Sequence, residues 1–170
     1  LLGKNMDTLL GAISQHNIGP QLMRAIKRLP VPHGQLGLSF AADGQIQSWR
    51  GNIPPDTPDI PECQQAILRG SDYGAQAAMP LHYQERIVVA LCGLIETLIE
   101  PTSPEYVAQE QIVAELIELH RQNGKNLFQA TQAALKNLRG YFIVAVYFAN
   151  DPLHLICASS GPAIFIGRSS

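Results

Sequence analysis

The chain has 170 residues and a mass of 18.5 kDa, a size at which one domain buries a sufficient core without disulfide or metal staples. Hydrophobic residues make up 46% and charged residues 15%, which excludes a disordered chain. A net charge of −2 leaves no overall electrostatic footprint for nucleic acid or an anionic membrane, and no apolar run reaches the roughly 18 residues of a membrane span.

Thr8 to Gln15 is a short apolar run that reads as a buried strand. Asn17 is a cap candidate for a helix in which Ile18, Leu22, Ala25, Ile26 and Leu29 recur at helical spacing, and which Pro30 and Pro32 stop. Gln35 to Ala42 alternates as a strand. Asp43-Gly44 is a hairpin signal, because both central residues of a type I′ turn need positive φ, and Gln45 to Trp49 is the returning strand. Pro54, Pro55, Pro58 and Pro61 make Asn52 to Glu62 a surface loop. Cys63 to Arg69 is expected as a short helix, and Gly70 to Gln84 gives no clear pattern.

Arg86 to Leu91 is β-rich and apolar, so it reads as a buried strand. Glu105 to Asn123 is the strongest helix, with Ile112, Val113, Leu116, Ile117 and His120 on one side. Ser103 and Pro104 start it and Gly124 stops it. Leu127 to Leu138 is a second helix. Tyr141 to Phe148, Leu153 to Ala158 and Ala163 to Gly167 read as strands, separated by turns at Asn150-Asp151-Pro152 and Ser160-Gly161-Pro162. About six strands and three or four helices, grouped rather than alternating, argue for an α+β fold with antiparallel sheets and helices outside them.

The first residues, Leu1 to Asp7, lack the apolar core of a signal peptide. Three cysteines with no C-x-x-C spacing argue against a disulfide framework and for a reducing, cytoplasmic setting. Cys63, after the proline loop, is expected at the surface, Cys157 in the core, and Cys92 as a small buried hydrophobe. The five histidines are scattered. His120 near Glu118 has no second His or Cys at ligand spacing, so no metal site is expected. The basic stretch Met23 to Arg28 and the pair Lys136 and Arg139 read as solvated faces, and Gly124-Lys125 is not a phosphate loop.

Four segments, in order, resemble the glutaminase domain of glucosamine-6-phosphate synthase, a class II glutamine amidotransferase of the N-terminal-nucleophile group. Met6-Asp7-Thr8-Leu9-Leu10-Gly11-Ala12-Ile13 is similar to that family's Met-Cys-Gly-Ile-Val-Gly-Ala-Ile start. Ile87 to Glu96 is similar to a strand ending in His-Asn-Gly-Ile-Ile-Glu. The helix Gln111 to Leu119, with Gly124 and Leu138-Arg139-Gly140-Tyr141 behind it, is the third segment. Ala158 to Gly167 is similar to a segment containing Ser-Gly-Ser-Pro-Leu-Val-Ile-Gly. The resemblance covers nearly the whole chain. It implies a single domain, residues 1–170, built as a four-layer αββα sandwich of two antiparallel sheets. The family's domain continues past the match at Gly167, so its last strands are expected to be missing.

The resemblance also implies a chemistry, and the residues depart from it. The family's nucleophile is an N-terminal cysteine whose own α-amine is the base. The matching position is Asp7, a far weaker nucleophile toward an amide, and Leu1 to Met6 precede it. The oxyanion-hole pair Asn-Gly becomes Cys92-Gly93, which keeps a backbone N–H and loses the side-chain amide. One such donor is worth about 3 kcal/mol of transition-state stabilisation. The arginine that grips the substrate carboxylate has Arg69 as a displaced stand-in. The carboxylate that binds the substrate amine falls at Gln109, which is uncharged. The family's Tyr-Arg-Gly-Tyr-Asp segment becomes Pro30-Val31-Pro32-His33-Gly34.

These departures point to a glutaminase-like pseudoenzyme that serves as a binding or assembly module. The ligand in view is glutamine or another small molecule in a remnant pocket, and the partner in view is another protein or a sugar-isomerase domain. Neither cofactor nor metal, nucleic acid nor membrane is implied. The alternative is an active transferase domain that releases ammonia from glutamine for amino-sugar synthesis, with Cys92 as its nucleophile. An unrelated α+β fold would show a parallel sheet or one sheet only.

Overall fold

The structure is a computed structural model, described for residues 8–28, 35–52, 60–71, 79–96, 109–136 and 138–167. Its elements in chain order are β1 (Thr8–Ile13), α1 (Gly19–Ile26), β2 (Gln35–Ala42), β3 (Gln45–Asn52), β4 (Gln65–Ser71), β5 (Leu81–Tyr83), β6 (Ile87–Glu96), α2 (Gln109–Gln122), α3 (Leu127–Lys136), β7 (Arg139–Phe148) and β8 (Leu155–Ser160). One sheet has the order β1-β4-β2-β3 and the other β5-β6-β7-β8, and every pairing in both is antiparallel.

Alternation along the strands sorts their side chains into three apolar layers. Leu36, Leu38 and Phe40 of β2 and Ala66 and Leu68 of β4 face Leu22 and Ile26 of α1. Ile67 of β4 instead meets Val88 and Ala90 of β6 and Ala145 and Tyr147 of β7, joined by Leu9, Ala41, Ile46 and Leu155, so this layer lies between the sheets. Ile87, Val89, Leu91, Val144 and Val146 face Val113 and Ile117 of α2 and Ala130 and Ala134 of α3. The layers therefore run α1, first sheet, second sheet, α2 with α3. This is the αββα sandwich that the resemblance implies, and it removes the parallel-sheet and single-sheet alternatives.

Local chemistry fixes the turns as expected. Asp43 and Gly44 sit at φ 52° and 73°, and their hairpin pairs Ala42 with Gln45. Asn17 Oδ1 accepts from the N–H of Gly19 at 2.9 Å and also from that of Cys63 at 3.3 Å, which ties α1 to the approach of β4. Asn126 and Gln129 close a reciprocal capping box on α3, at 2.9 and 3.3 Å.

Several expectations need correction. Cys63 to Arg69 is not a helix: Gln65–Ser71 is β4, an interior strand between β1 and β2. A strand with apolar neighbours on both faces has no alternation to read, and a run this short is ambiguous between strand and helix. The stretch without a pattern contains β5. Ala163 to Gly167 forms no regular element, because β8 ends the sheet and no further strand among the described residues pairs there. Two cysteines are exchanged in environment. Cys63 is buried, since its backbone bonds to Asn17 and Ile18 hold it beneath α1, whereas Cys157 is exposed on the edge strand β8. Burial pushes the Cys63 thiol up to about 11. The proposed start of the long helix at Ser103 and Pro104, and the segment Pro30 to Gly34, lie outside the described residues.

Two features of this fold give direct tests. Gly93 and Gly140 sit at φ 107° and 137°, and a Cβ on either would stand 2.2 and 2.1 Å from a backbone oxygen of the neighbouring strand. Gly140→Ala should therefore lower the unfolding free energy by about 2 kcal/mol or more, read from a denaturant midpoint. Ser39 Oγ and His82 Nε2 are hydrogen-bonded at 2.6 Å between β2 and β5, and burial lowers the His82 pKa below its ordinary 6.5. The unfolded chain then takes up this proton at a higher pH than the folded one. Stability should fall as the pH drops below about 6.5, with a slope of at most about 1.4 kcal/mol per pH unit, and that component should vanish in His82→Gln.

Candidate functional site

Among the described residues, Arg69 and Gln109 of those singled out from the sequence lie at one end of the sandwich. Antiparallel pairing places the start of β1 beside the end of β4, with Thr8 opposite Gly70 and Leu9 opposite Arg69. In the second sheet the end of β6 lies beside the start of β7, with Ile95 opposite Gly140. The start of α2 closes this end across both sheets. Gln109 Oε1 accepts the backbone N–H of Ile95 at 2.6 Å, and its neighbour Glu110 forms an ion pair with Arg69 at 2.5 Å.

Each expected position has a definite environment. Asp7 immediately precedes β1 but lies outside the described residues. Cys92 is buried, at 8% exposure. It continues the alternation of Val88 and Ala90 toward the first sheet, so its side chain is buried as expected. Gly93 follows it with a solvent-exposed, left-handed backbone that only glycine adopts without strain. The structure thus brings Arg69 and Gln109 to one place, with Cys92 and Gly93 farther back along the strand whose end Gln109 holds.

Glu110 is the residue that sequence reading missed. It stands one position beyond Gln109 and 41 residues from Arg69, so no local spacing announced the pair. The two side chains are 12% and 13% exposed. A guanidinium and a carboxylate at this depth attract strongly only because they meet in good geometry, since each has left most of its water. Arg69 Nε is buried and has no hydrogen-bond partner among the described residues. The arrangement is chemically that of a charge-neutral tie. A carboxylate ligand approaching Arg69 meets a cation that is already neutralised, and an ammonium approaching Glu110 meets the converse.

The opposite end is built differently. Gln65, fully buried at the start of β4, donates from Nε2 to the carbonyl oxygens of Asp151 and His154, the latter at 3.0 Å. This side chain fastens the first sheet to the β7–β8 turn. Two cavities of about 280 Å³ open at this end, one beside Gln65 and Gly44 and one beside Arg86 and Arg121. Neither is lined by Arg69, Cys92, Gly93 or Gln109. Among the described residues no group of three or more His, Cys, Asp or Glu could hold a metal ion, and no helix is long and apolar enough to cross a membrane.

No protein-family model matches the chain. Individual proteins do. A glutamine–fructose-6-phosphate aminotransferase (isomerizing) of Rhizobium meliloti strain 1021 is 26% identical over 185 aligned positions, covering 97% of this chain. The enzymes of the same name from Xylella fastidiosa strain 9a5c and Acidithiobacillus ferridurans are 25% and 29% identical, each covering 95% of it. In every case the chain spans 30% of the relative's length. Such coverage matches one domain of a longer enzyme, and the sandwich is the one expected of the glutaminase part. By sequence along nearly its whole length and by fold, the chain is related to the glutaminase domain of the glutamine–fructose-6-phosphate aminotransferases, the glucosamine-6-phosphate synthases.

Proposed function

We propose that residues 1–170 form a single glutaminase-like domain, of the class II N-terminal-nucleophile kind, that no longer hydrolyses glutamine and acts as a cytoplasmic binding or assembly module. The observation that carries this reading is the Arg69–Glu110 ion pair. Arg69, the displaced stand-in for the arginine that grips a substrate carboxylate, is already neutralised by an internal carboxylate. Three sequence features support it. Asp7 offers no thiol at the nucleophile position, Cys92 offers no amide donor at the oxyanion position, and Gln109 carries no charge.

An assembly role draws support from the surface at the same end. Leu94 near the end of β6 and Tyr141 opposite it on β7 are 58% and 67% exposed. Large apolar side chains this open are costly in water and are gained back when a partner covers them. A protein partner or a sugar-isomerase domain of the kind that accompanies this family fits such a surface.

Two measurements test the reading. The purified protein mixed with glutamine should release ammonia no faster than buffer alone. Release well above that background, abolished by Cys92→Ser, would instead establish the active-transferase alternative. Glu110→Gln leaves Arg69 without its counter-charge at a largely buried position. It should lower stability by about 1–3 kcal/mol in chemical denaturation, whereas Arg69→Met with Glu110→Leu together should cost less than the single change.

A further inference from the structure

The second cavity lies at the end of the sandwich away from Arg69, and its walls come from four separate elements. Arg86 comes from the turn between β5 and β6. Arg121 comes from the last turn of α2, Lys125 from the link between α2 and α3, and Phe148 from the end of β7. Three of the chain's 12 Lys and Arg residues thus meet at one cavity of about 280 Å³, in a protein whose net charge is −2.

These cations are poorly compensated. Among the described residues the Arg86 guanidinium has no ion pair, and Lys125 Nζ lies 3.3 Å from His120 Nδ1 rather than by a carboxylate. Arg121 reaches Glu118 only at 3.7 Å, and its guanidinium lies 4.9 Å from the centre of the Phe148 ring. Asp151, the one carboxylate lining the cavity among the described residues, is hydrogen-bonded to His154 Nδ1 at 2.7 Å.

One backbone feature points the same way. Asn126 caps α3 beside the cavity, so the positive end of a ten-residue helix opens toward it. Arg86 follows the tight turn of the β5–β6 hairpin, in which Gln84 and Glu85 take the positive φ, 50° and 53°, that such a turn requires and the Arg86 N–H donates to the carbonyl of Tyr83 at 3.1 Å.

We propose that this cavity is an anion site for a small phosphate monoester. Two guanidinium forks and one ammonium match the several acceptor oxygens of a phosphate, the helix start adds backbone donors, and Leu127 supplies an apolar wall for the ester group. The site is separate from the glutaminase-like end and does not depend on what chemistry remains there.

The full chain titrated with inorganic phosphate and with phenyl phosphate, at ionic strength held constant with chloride, tests this. Amide resonances of residues 84–87, 121–128 and 148–151 should shift saturably, with phenyl phosphate binding at least as tightly as inorganic phosphate. Arg86→Gln and Lys125→Gln alter exposed side chains, so the variants should keep the parent's unfolding midpoint in chloride. Each should raise the dissociation constant about tenfold, the worth of one charge-assisted hydrogen bond, while Arg50→Gln, an exposed cation on β3, should not. Absence of saturation, shifts reproduced by chloride, or equal affinity in the Arg86 and Lys125 variants would each overturn the proposal.

Discussion

The apolar layer between the two sheets is the constraint on which the molecule depends. Ile67, Val88, Ala90, Ala145 and Tyr147 are almost completely withdrawn from water, and they come from both sheets. Neither sheet could exist alone, because each would expose this face. Burial of one such aliphatic side chain is worth about 1.5–3 kcal/mol, and only stacking secures it. The outer faces then need their own covers, α1 on one side and α2 with α3 on the other. The Tyr147 hydroxyl is enclosed in this layer with no hydrogen-bond partner among the described residues, and its ionisation is pushed far up by burial and by the nearby Cys63. A charged phenolate at that position would be incompatible with the layer.

A sandwich has two open ends, and each is sewn by polar groups that the apolar layer cannot supply. At one end Gln65 reaches from the first sheet to the backbone of the β7–β8 turn. At the other, Arg69 reaches from the first sheet to Glu110 of α2, whose neighbour Gln109 holds the end of β6. Both ties connect elements that share no strand pairing. The two ends also differ in character: at one, Arg69 is paired with Glu110 and exposed apolar residues lie nearby, and the Gln65 end borders the cavity lined by Arg86, Arg121 and Lys125.

Kinship with an amide-hydrolysing domain and the proposed loss of that hydrolysis are compatible on physical grounds. The three apolar layers are set by strand alternation and helix periodicity, and none of their members is a group that the reaction would use. The positions expected for the charged grips, Arg69 and Gln109, sit near a strand end and at a helix start, where substitution leaves the layers intact. Exchange of those groups can therefore alter the chemistry while the scaffold persists, and internal pairs such as Arg69 with Glu110 can take over positions once available to a ligand.

Much of the fold is legible in the sequence where pattern and local chemistry agree. The Asp43-Gly44 hairpin, the apolar stripe of α2 and the strands β2, β6, β7 and β8 declare themselves through turn residues and periodicity, and the family resemblance is carried by four short segments in order. β4 does not declare itself, because a strand buried on both faces has no alternation, and the burial of Cys63 follows from its place beneath α1 and the exposure of Cys157 from the edge position of β8, rather than from composition. Arg69 and Gln109 could be named from the sequence, but their present partners could not. The pairing of Arg69 with Glu110, and the gathering of Arg86, Arg121 and Lys125 around one cavity, join residues far apart in the chain. Only the stacking of the sheets and the docking of α2 and α3 bring them within reach, since charge interactions act through space and not along the sequence.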